Sequence, residues 1–360
     1  VDAKTGQEKW RKVLAQGVQW DDRSNFASPS PVVDGQHVIF FFATGELICL
    51  DLAGNEVWKR NICTDHGRFA TQWTYSSSPM LYAGKIYIQV LQRNEYFVFQ
   101  NKFEKGEKDR DNSSYLLAID AQTGKDSFKV TRGSDAVQES KESFSTPVIA
   151  EHNGQPCMLI SGGDVLTAHD PATGDELWRS PTWNKEKIGH WRLVPSPVAG
   201  AGVALACAPK KNPVYAYALG SKGHLKDSDA AWVSNPKEVT SDVSTPAYHN
   251  GFFYVLDGDR KTISCVESSG KLRWTGELGS KCKLEASPTV ADGKIYLNNF
   301  WGQVYVVKED PEKFELLSTN DMGDGSKPSG NETSVRACVV AADGRLFIRT
   351  QKKLWCVGKL

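Results

Sequence analysis

Six Ser-Pro or Thr-Pro dipeptides return along this 360-residue chain at Ser30-Pro31, Ser78-Pro79, Thr146-Pro147, Ser196-Pro197, Thr245-Pro246 and Ser287-Pro288. A seventh copy is read at Arg336-Ala337, where the proline is lost, and the successive steps are then 48, 68, 50, 49, 42 and 49 residues. A fixed period of this length is the mark of an array of similar supersecondary units, and about 40 to 50 residues suits a four-stranded propeller blade. The 68-residue step announces an insertion.

The same parts recur in each period. After the proline comes a short apolar strand, then a tight turn at Asp34-Gly35, Asn153-Gly154, Asn250-Gly251, Asp292-Gly293 or Asp343-Gly344, with Ala83-Gly84 a weaker version. These dipeptides accept the positive φ of two-residue hairpins. The next strand is β-branched and aromatic, as in HVIFFF, KIYIQV and GFFYVL. A third strand ends in Asp and enters a second turn, giving Asp2 to Gly6 to Trp10, Asp51 to Gly54 to Trp58, Asp120 to Gly124 to Phe128 and Asp170 to Gly174 to Trp178, with a looser copy from Glu267 through Gly270 to Trp274. Asp accepts hydrogen bonds from the turn's own amides while Gly takes positive φ. Trp10, Trp58, Phe128, Trp178 and Trp274 then open outer strands, where a flat side chain fills the gap between blades.

The predicted fold is therefore an all-β propeller of four-stranded antiparallel blades, one domain over residues 1–360. Seven blades are expected, with residues 1–13 as the outer strand closing the blade formed by 333–360; the alternative is eight, an upstream blade being missing. Composition agrees: 11 Trp and 31 Gly stand beside only 3 Met. The 43 basic and 43 acidic side chains balance, which argues against an electrostatic nucleic-acid binder. No apolar stretch reaches the roughly 18 residues of a membrane-spanning helix. The chain opens inside a repeat, so any targeting segment is expected upstream.

The eight cysteines include no CxxC and no adjacent pair. Cys49, Cys265 and Cys356 read as small buried strand residues, and a bridge between the loops of Cys63 and Cys282 stays open. The stretches Asp257-Gly258-Asp259 and Asp321 to Asp324 fail EF-hand spacing and read as turns. Asn112-Ser113-Ser114 and Asn331-Glu332-Thr333 match the glycosylation sequon.

The D-x-x-T-G-x-x-x-W pattern at Asp2 to Trp10 and Asp170 to Trp178, with Phe128 in the Asp120 copy, resembles the tryptophan-docking repeat of the quinoprotein propellers. It is most similar to the PQQ-like repeat proteins grouped with the outer-membrane assembly factor BamB, and that resemblance implies eight blades in most relatives. It also brings the enzymes of the family to mind, which hold PQQ between a Trp and a disulfide of adjacent cysteines, beside a Ca²⁺ bound by Glu, Asn and Asp. The adjacent cysteines are missing here and the calcium triad has no residue-by-residue match. The expectation is no cofactor and no metal, with PQQ and Ca²⁺ kept as the alternative.

Loops joining an outer strand to the next inner strand should gather on one face around a central funnel. The candidates there are Trp20, Asp22 and Arg23; His66, Arg68, Trp73 and Tyr75; Glu142 and Phe144; His190, Trp191 and Arg192; Asp242; Lys283 and Glu285; Glu332 and Arg336. Aromatics among both charge signs suit a peptide loop or a sugar, and equally suit charges that pair with one another along a water-filled channel. Glu142 and Glu285 also admit an acid and base pair. Residues 89–114 form an inserted loop on the same face, either a partner-binding or covering lobe or a solvated loop.

The function expected is a non-catalytic protein- or glycan-binding scaffold, a monomer of the bacterial periplasm, cell envelope or exterior. The alternative is a divergent PQQ- and calcium-dependent dehydrogenase of alcohols or sugars.

Overall fold

The second strand of the second sheet is apolar on both faces, because a sheet of the same unit lies on either side of it. Ile86, Ile88 and Val90 pack with Ile39, Phe41 and Leu47 of the sheet before them. The alternate residues Tyr87 and Leu91 pack with Met158 and Ile160 of the sheet after. Period-two alternation thus serves two interfaces rather than one core and one solvent face.

The computed structural model describes residues 1–16, 24–323 and 334–358, and the chain is a seven-bladed β-propeller of mainly four-stranded antiparallel sheets. It divides into two compact units, Val1–Ser196 with Lys222–Leu225, and Pro197–Ser221 with Lys226–Leu360.

In the first unit, the first sheet is Val32–Val33, His37–Phe41, Glu46–Asp51 and Glu56–Asn61. The second is Met80–Tyr82, Lys85–Val90, Tyr115–Asp120 and Asp126–Thr131. The third is Val148–His152, Gln155–Gly162, Val165–His169 and Glu176–Arg179, with Gly223–His224 added in parallel at its outer edge. At Asn153-Gly154 both residues take positive φ, 51° and 74°, as a two-residue hairpin turn demands, whereas at Asp34-Gly35 only the glycine does, at 89°. In the second turn the aspartate holds the register, as where Asp120 Oδ1 accepts from the amides of Gln122 at 3.1 Å and Thr123 at 2.8 Å.

Neighbouring sheets in this unit meet through three repeated contacts. Apolar faces interlock as above. The Trp58 indole lies over Gly124, whose added Cβ would stand 2.7 Å from the ring, and its N–H donates to the Ala121 carbonyl at 2.9 Å. Trp10 stands over Gly54 in the same way and Phe128 over Gly174. Finally, the backbone N–H of each Ser/Thr-Pro anchor donates to the hydroxyl of the next: Ser30 to Ser78 at 2.9 Å, Ser78 to Thr146 at 3.3 Å and Thr146 to Ser196 at 2.9 Å. Trp178, 1% exposed, has the Gly223–His224 strand beside it.

The second unit holds the sheets Val198–Gly200 to Ala230–Val233, Ala247–His249 to Leu272–Glu277, and Thr289–Ala291 to Leu316–Asp321. Its last sheet has three strands, Val340–Ala342, Arg345–Arg349 and Leu354–Gly358. Trp232 lies over Gly270 and donates to the Ser268 carbonyl at 2.9 Å, and Trp274 donates to the Asp310 carbonyl at 2.8 Å. Trp232 was not among the aromatics expected, because its sheet lacks the Asp-to-Gly turn and reaches the outer strand through a longer connection.

Two sequence readings are corrected first. The seventh anchor is Cys338-Val339 rather than Arg336-Ala337, since Ser287 N–H donates to Cys338 Sγ at 3.2 Å, the place a hydroxyl holds elsewhere. Cys356 is exposed where Cys49 and Cys265 are buried, because its strand is the edge of a three-stranded sheet. Cys63 and Cys282 are both unpaired. The carboxamide of Asn112, only 4% exposed, is spent on the Glu107 N–H and carbonyl, each at 2.8 Å, so that sequon has no room for a glycan. Residues 1–16 carry no strand, and Lys12 Nζ donates to the Gly54 carbonyl at 3.0 Å.

Trp178→Ala is expected to lose about 3–5 kcal/mol of stability, and Trp10→Ala, 38% exposed, less than about 1.5. Urea unfolding of the two variants measures the contrast.

Candidate functional site

In the first unit, the connections 62–79, 132–147 and 180–197 and the insertion 91–114 all lie at one end of the sheets, because each leads from an outer strand to an inner one or from a second strand to a third. The insertion is built rather than loose. Gln92 fastens its root: Oε1 accepts from Ala70 N–H at 2.8 Å, Nε2 donates to the Asn112 carbonyl at 3.0 Å, and its own N–H donates to Ser114 Oγ at 2.9 Å. From that root rises a two-stranded ribbon, Phe97–Phe99 and Phe103–Lys105.

Glu142 is fully buried beneath the root and accepts from Arg93 Nε at 2.7 Å and from Gln72 N–H at 2.8 Å. Burial pushes its carboxyl up to about 7, outweighing the charge and hydrogen bond of Arg93. Arg93 also donates to Gln72 Oε1 at 2.6 Å and covers the Phe97 ring at 4.3 Å. One turn earlier Glu139 accepts from Trp73 Nε1 at 2.9 Å and faces Arg192 Nε at 3.4 Å, while Phe99 meets Trp73 edge-on at 5.3 Å. The segment around Trp191 and Arg192 is zipped to the Glu142 loop: Trp191 N–H donates to Ser140 Oγ at 2.7 Å and Phe144 N–H to the Leu193 carbonyl at 2.9 Å. Arg68 pairs with Glu104 at 2.9 Å and Glu107 at 3.1 Å over an open polar hollow of about 350 Å³.

Arg68, Trp73, Glu142, Phe144, Trp191 and Arg192 thus share one end of the first unit. Tyr75 does not belong with them. It is 3% exposed, stacks on Phe69 at 4.4 Å and donates to the Gln89 carbonyl at 2.6 Å, so it is a core residue. Trp20 and Arg23, with Asp22 and Glu332, fall outside the described residues. Sequence reasoning passed over Gln72, Arg93, Phe97, Phe99 and Glu139; the one available signal was an arginine between an apolar strand and an aromatic run.

A second polar group lies inside the third sheet. Arg132 is 2% exposed and donates to the carbonyls of Gly162 at 2.6 Å and Val165 at 3.2 Å. Burial pulls its guanidinium down to about 9 and the neighbouring His169 down to about 4. Asp164 accepts from Asn184 Nδ2 at 2.8 Å, and burial pushes its carboxyl up to about 7 against that bond and the charge of Arg132.

In the second unit, Asp242 and Lys283 line one small cleft with Asp257 and Asp259. Lys283 Nζ bridges Asp259 at 3.1 Å and Glu285 at 3.2 Å, and Arg336 Nε donates to Glu285 Oε2 at 2.8 Å while covering Phe300 at 4.9 Å. Burial disfavours the Lys283 ammonium, but Glu285 and Asp259 outweigh it and hold its pKa above the ordinary value. Asp242 Oδ1 accepts the Lys210 N–H at 2.6 Å. Glu142 and Glu285 therefore belong to different units, each within its own set of ion pairs.

A family model described as outer membrane protein assembly factor BamB matches residues 1–94 and 161–313. Among solved structures, BamB from Moraxella catarrhalis superposes with a TM-score of 0.61 at 13% identity, over 90% of this chain and 82% of that one. A europium-containing methanol dehydrogenase superposes with a TM-score of 0.59 at 13% identity, over 89% of this chain and 72% of that one. No curated protein sequence matches the chain.

Asp164 carries a pH prediction. Its folded pKa lies above the ordinary 3.8, so the stability it contributes is full below about pH 4 and is lost as pH rises through about 7. Between about pH 5 and about pH 8 the wild type should therefore lose more stability than Asp164→Asn, by about 1–3 kcal/mol, read from urea unfolding at each pH.

Proposed function

The chain belongs to the PQQ-like propeller family of the outer membrane protein assembly factor BamB, and from that premise we propose that it is a non-catalytic binding scaffold of the bacterial cell envelope whose partner is a protein. The observation that carries this reading is the end of the first unit, where an inserted ribbon, three connections and both charge signs are fastened into one ledge around Trp73, Glu139 and Arg192. A preorganised mixed surface of this kind gives area and orientation at small entropic cost.

The aromatics of the insertion favour a protein over a glycan. Arg93 covers Phe97 at 4.3 Å, Lys102 lies over Phe103 at 5.1 Å and Lys108 over Tyr96 at 4.9 Å, so these faces are already taken by cations rather than open for a sugar to stack on. The likeness to a methanol dehydrogenase is one of fold, shared with BamB, and fold alone carries no activity. The adjacent cysteine pair that holds PQQ in those enzymes has no counterpart in the sequence, which supports the non-catalytic reading.

The test begins with residue-resolved cross-linking of the purified chain in bacterial envelope extract. Against the partner so identified, Trp73→Ala and Arg192→Ala should each weaken binding at least about tenfold, or about 1.4 kcal/mol. Unchanged affinity in both would contradict the reading. Saturable quenching by PQQ with Ca²⁺, accompanied by a raised Tm, would replace it with the dehydrogenase.

A further inference from the structure

The sheets that open with Met80–Tyr82 and Thr289–Ala291 have second strands built on one plan. Each begins Lys-Ile-Tyr, and in each the tyrosine pairs with the first residue after a Ser-Pro anchor, Tyr87 with Met80 and Tyr296 with Thr289. Gln89 in the first unit and Asn298 in the second therefore hold the same place, on the face turned to the next sheet: Tyr87 packs there with Met158 and Ile160, and Tyr296 with Val339 and Ile348. Gln89 reaches that next sheet directly. Its Nε2 donates to the Ser145 carbonyl at 2.7 Å and to the Ser145 hydroxyl at 2.9 Å, leaving only Oε1 without a partner, and Ser145 is the residue before the anchor Thr146.

Asn298 makes no such reach. It is 1% exposed, yet neither its Oδ1 nor its Nδ2 has a hydrogen-bond partner in the chain. Two differences in sequence account for this. Asparagine is one methylene shorter than glutamine, and the residue before the anchor Cys338 is Ala337, which has no hydroxyl. The rest of this face is apolar, with Tyr296, Val304, Val339 and Ile348 in one cluster and Trp355 packed against it. The Trp355 indole N–H is buried and also lacks an acceptor. Polar atoms buried among apolar groups are nearly always answered, because leaving them unbonded forfeits what water gave them.

We propose that the junction between the sheet of Thr289–Ala291 and the last sheet is a binding site for one resident water, which bonds the Asn298 carboxamide on one side and the Ala337 carbonyl, the counterpart of the Ser145 carbonyl, on the other. Water suits the site in chemistry and in size. It both donates and accepts, as a carboxamide requires, and the Trp355 indole supplies a further donor in the same cluster, so the two to four polar partners of a buried water are at hand. Its share of liquid volume, roughly 30 Å³, is of the order of the methylene and the hydroxyl that the Gln89 site has and this one lacks. The second and third sheets are thus joined by a side chain alone, whereas the last sheet is joined to its neighbour through an exchangeable molecule.

Two measurements on the full chain test this. A crystal structure that orders solvent should show a water within about 3.2 Å of the Asn298 carboxamide, and oxygen-17 relaxation dispersion should count it among the long-lived internal waters in solution. Asn298→Gln combined with Ala337→Ser rebuilds the Gln89 and Ser145 pair, and should expel that water and lower the solution count by one. Asn298→Leu, which offers no polar atom, should lower the count by one as well. Gln89→Asn combined with Ser145→Ala should do the reverse in the first unit and raise the count by one. An Asn298 carboxamide bonded directly to the protein in the crystal, or a count that stays unchanged in both Asn298 variants, overturns the proposal.

Discussion

An aromatic ring set over a glycine in the next sheet is the contact on which this fold depends. A sheet whose two faces are both apolar cannot stand alone, and its outer strand is where curvature leaves the widest gap to its neighbour. Trp58 over Gly124, Phe128 over Gly174 and Trp232 over Gly270 close that gap with a flat side chain that only a missing Cβ admits. The indole N–H then finds a carbonyl of the same turn, so burial of the ring leaves no polar atom unsatisfied. At the opposite, inner edge the Ser and Thr hydroxyls that precede each proline receive an amide from the neighbouring sheet. Apolar faces supply the bulk of the burial between these two fixed lines.

Such a frame frees the connecting loops to carry charge. In the first unit the loops bury two carboxylates, Glu142 and Asp164, whose acidity moves to about 7 because they lie out of water. In the second unit Glu285 is likewise buried but answered by both Lys283 and Arg336. Glu285 thus faces two cations, whereas Glu142 faces a single arginine with a second glutamate, Glu139, near it.

Much of the fold was legible from the residues. The Ser/Thr-Pro anchors, the Asp-to-Gly turns and the β-branched second strands each have a local physical cause, and local causes repeat visibly. What escaped was set by neighbours. Trp232 performs the same task as Trp58 but follows a longer connection without the Asp-to-Gly turn, so no period marks it. Cys338 takes the role of a serine hydroxyl, which only the amide of Ser287 reveals. Tyr75 reads as one more loop aromatic until Phe41 and Phe69 are seen to enclose it. The site was legible as a set of chemical types and not as an arrangement: nothing in the spacing of Arg93, Gln72 and Glu142 announces that they meet.

The most direct test of the account compares two glycines with the same left-handed backbone. Gly124 (φ 69°) lies under Trp58, and Gly35 (φ 89°) has no heavy atom within 4 Å of where a Cβ would stand. Alanine at either position carries the backbone strain, but only at Gly124 must it also displace the ring. Equilibrium unfolding should show Gly124→Ala losing about 1–3 kcal/mol more than Gly35→Ala. Losses within about 0.5 kcal/mol of each other would mean that the aromatic seat does not hold the sheets together.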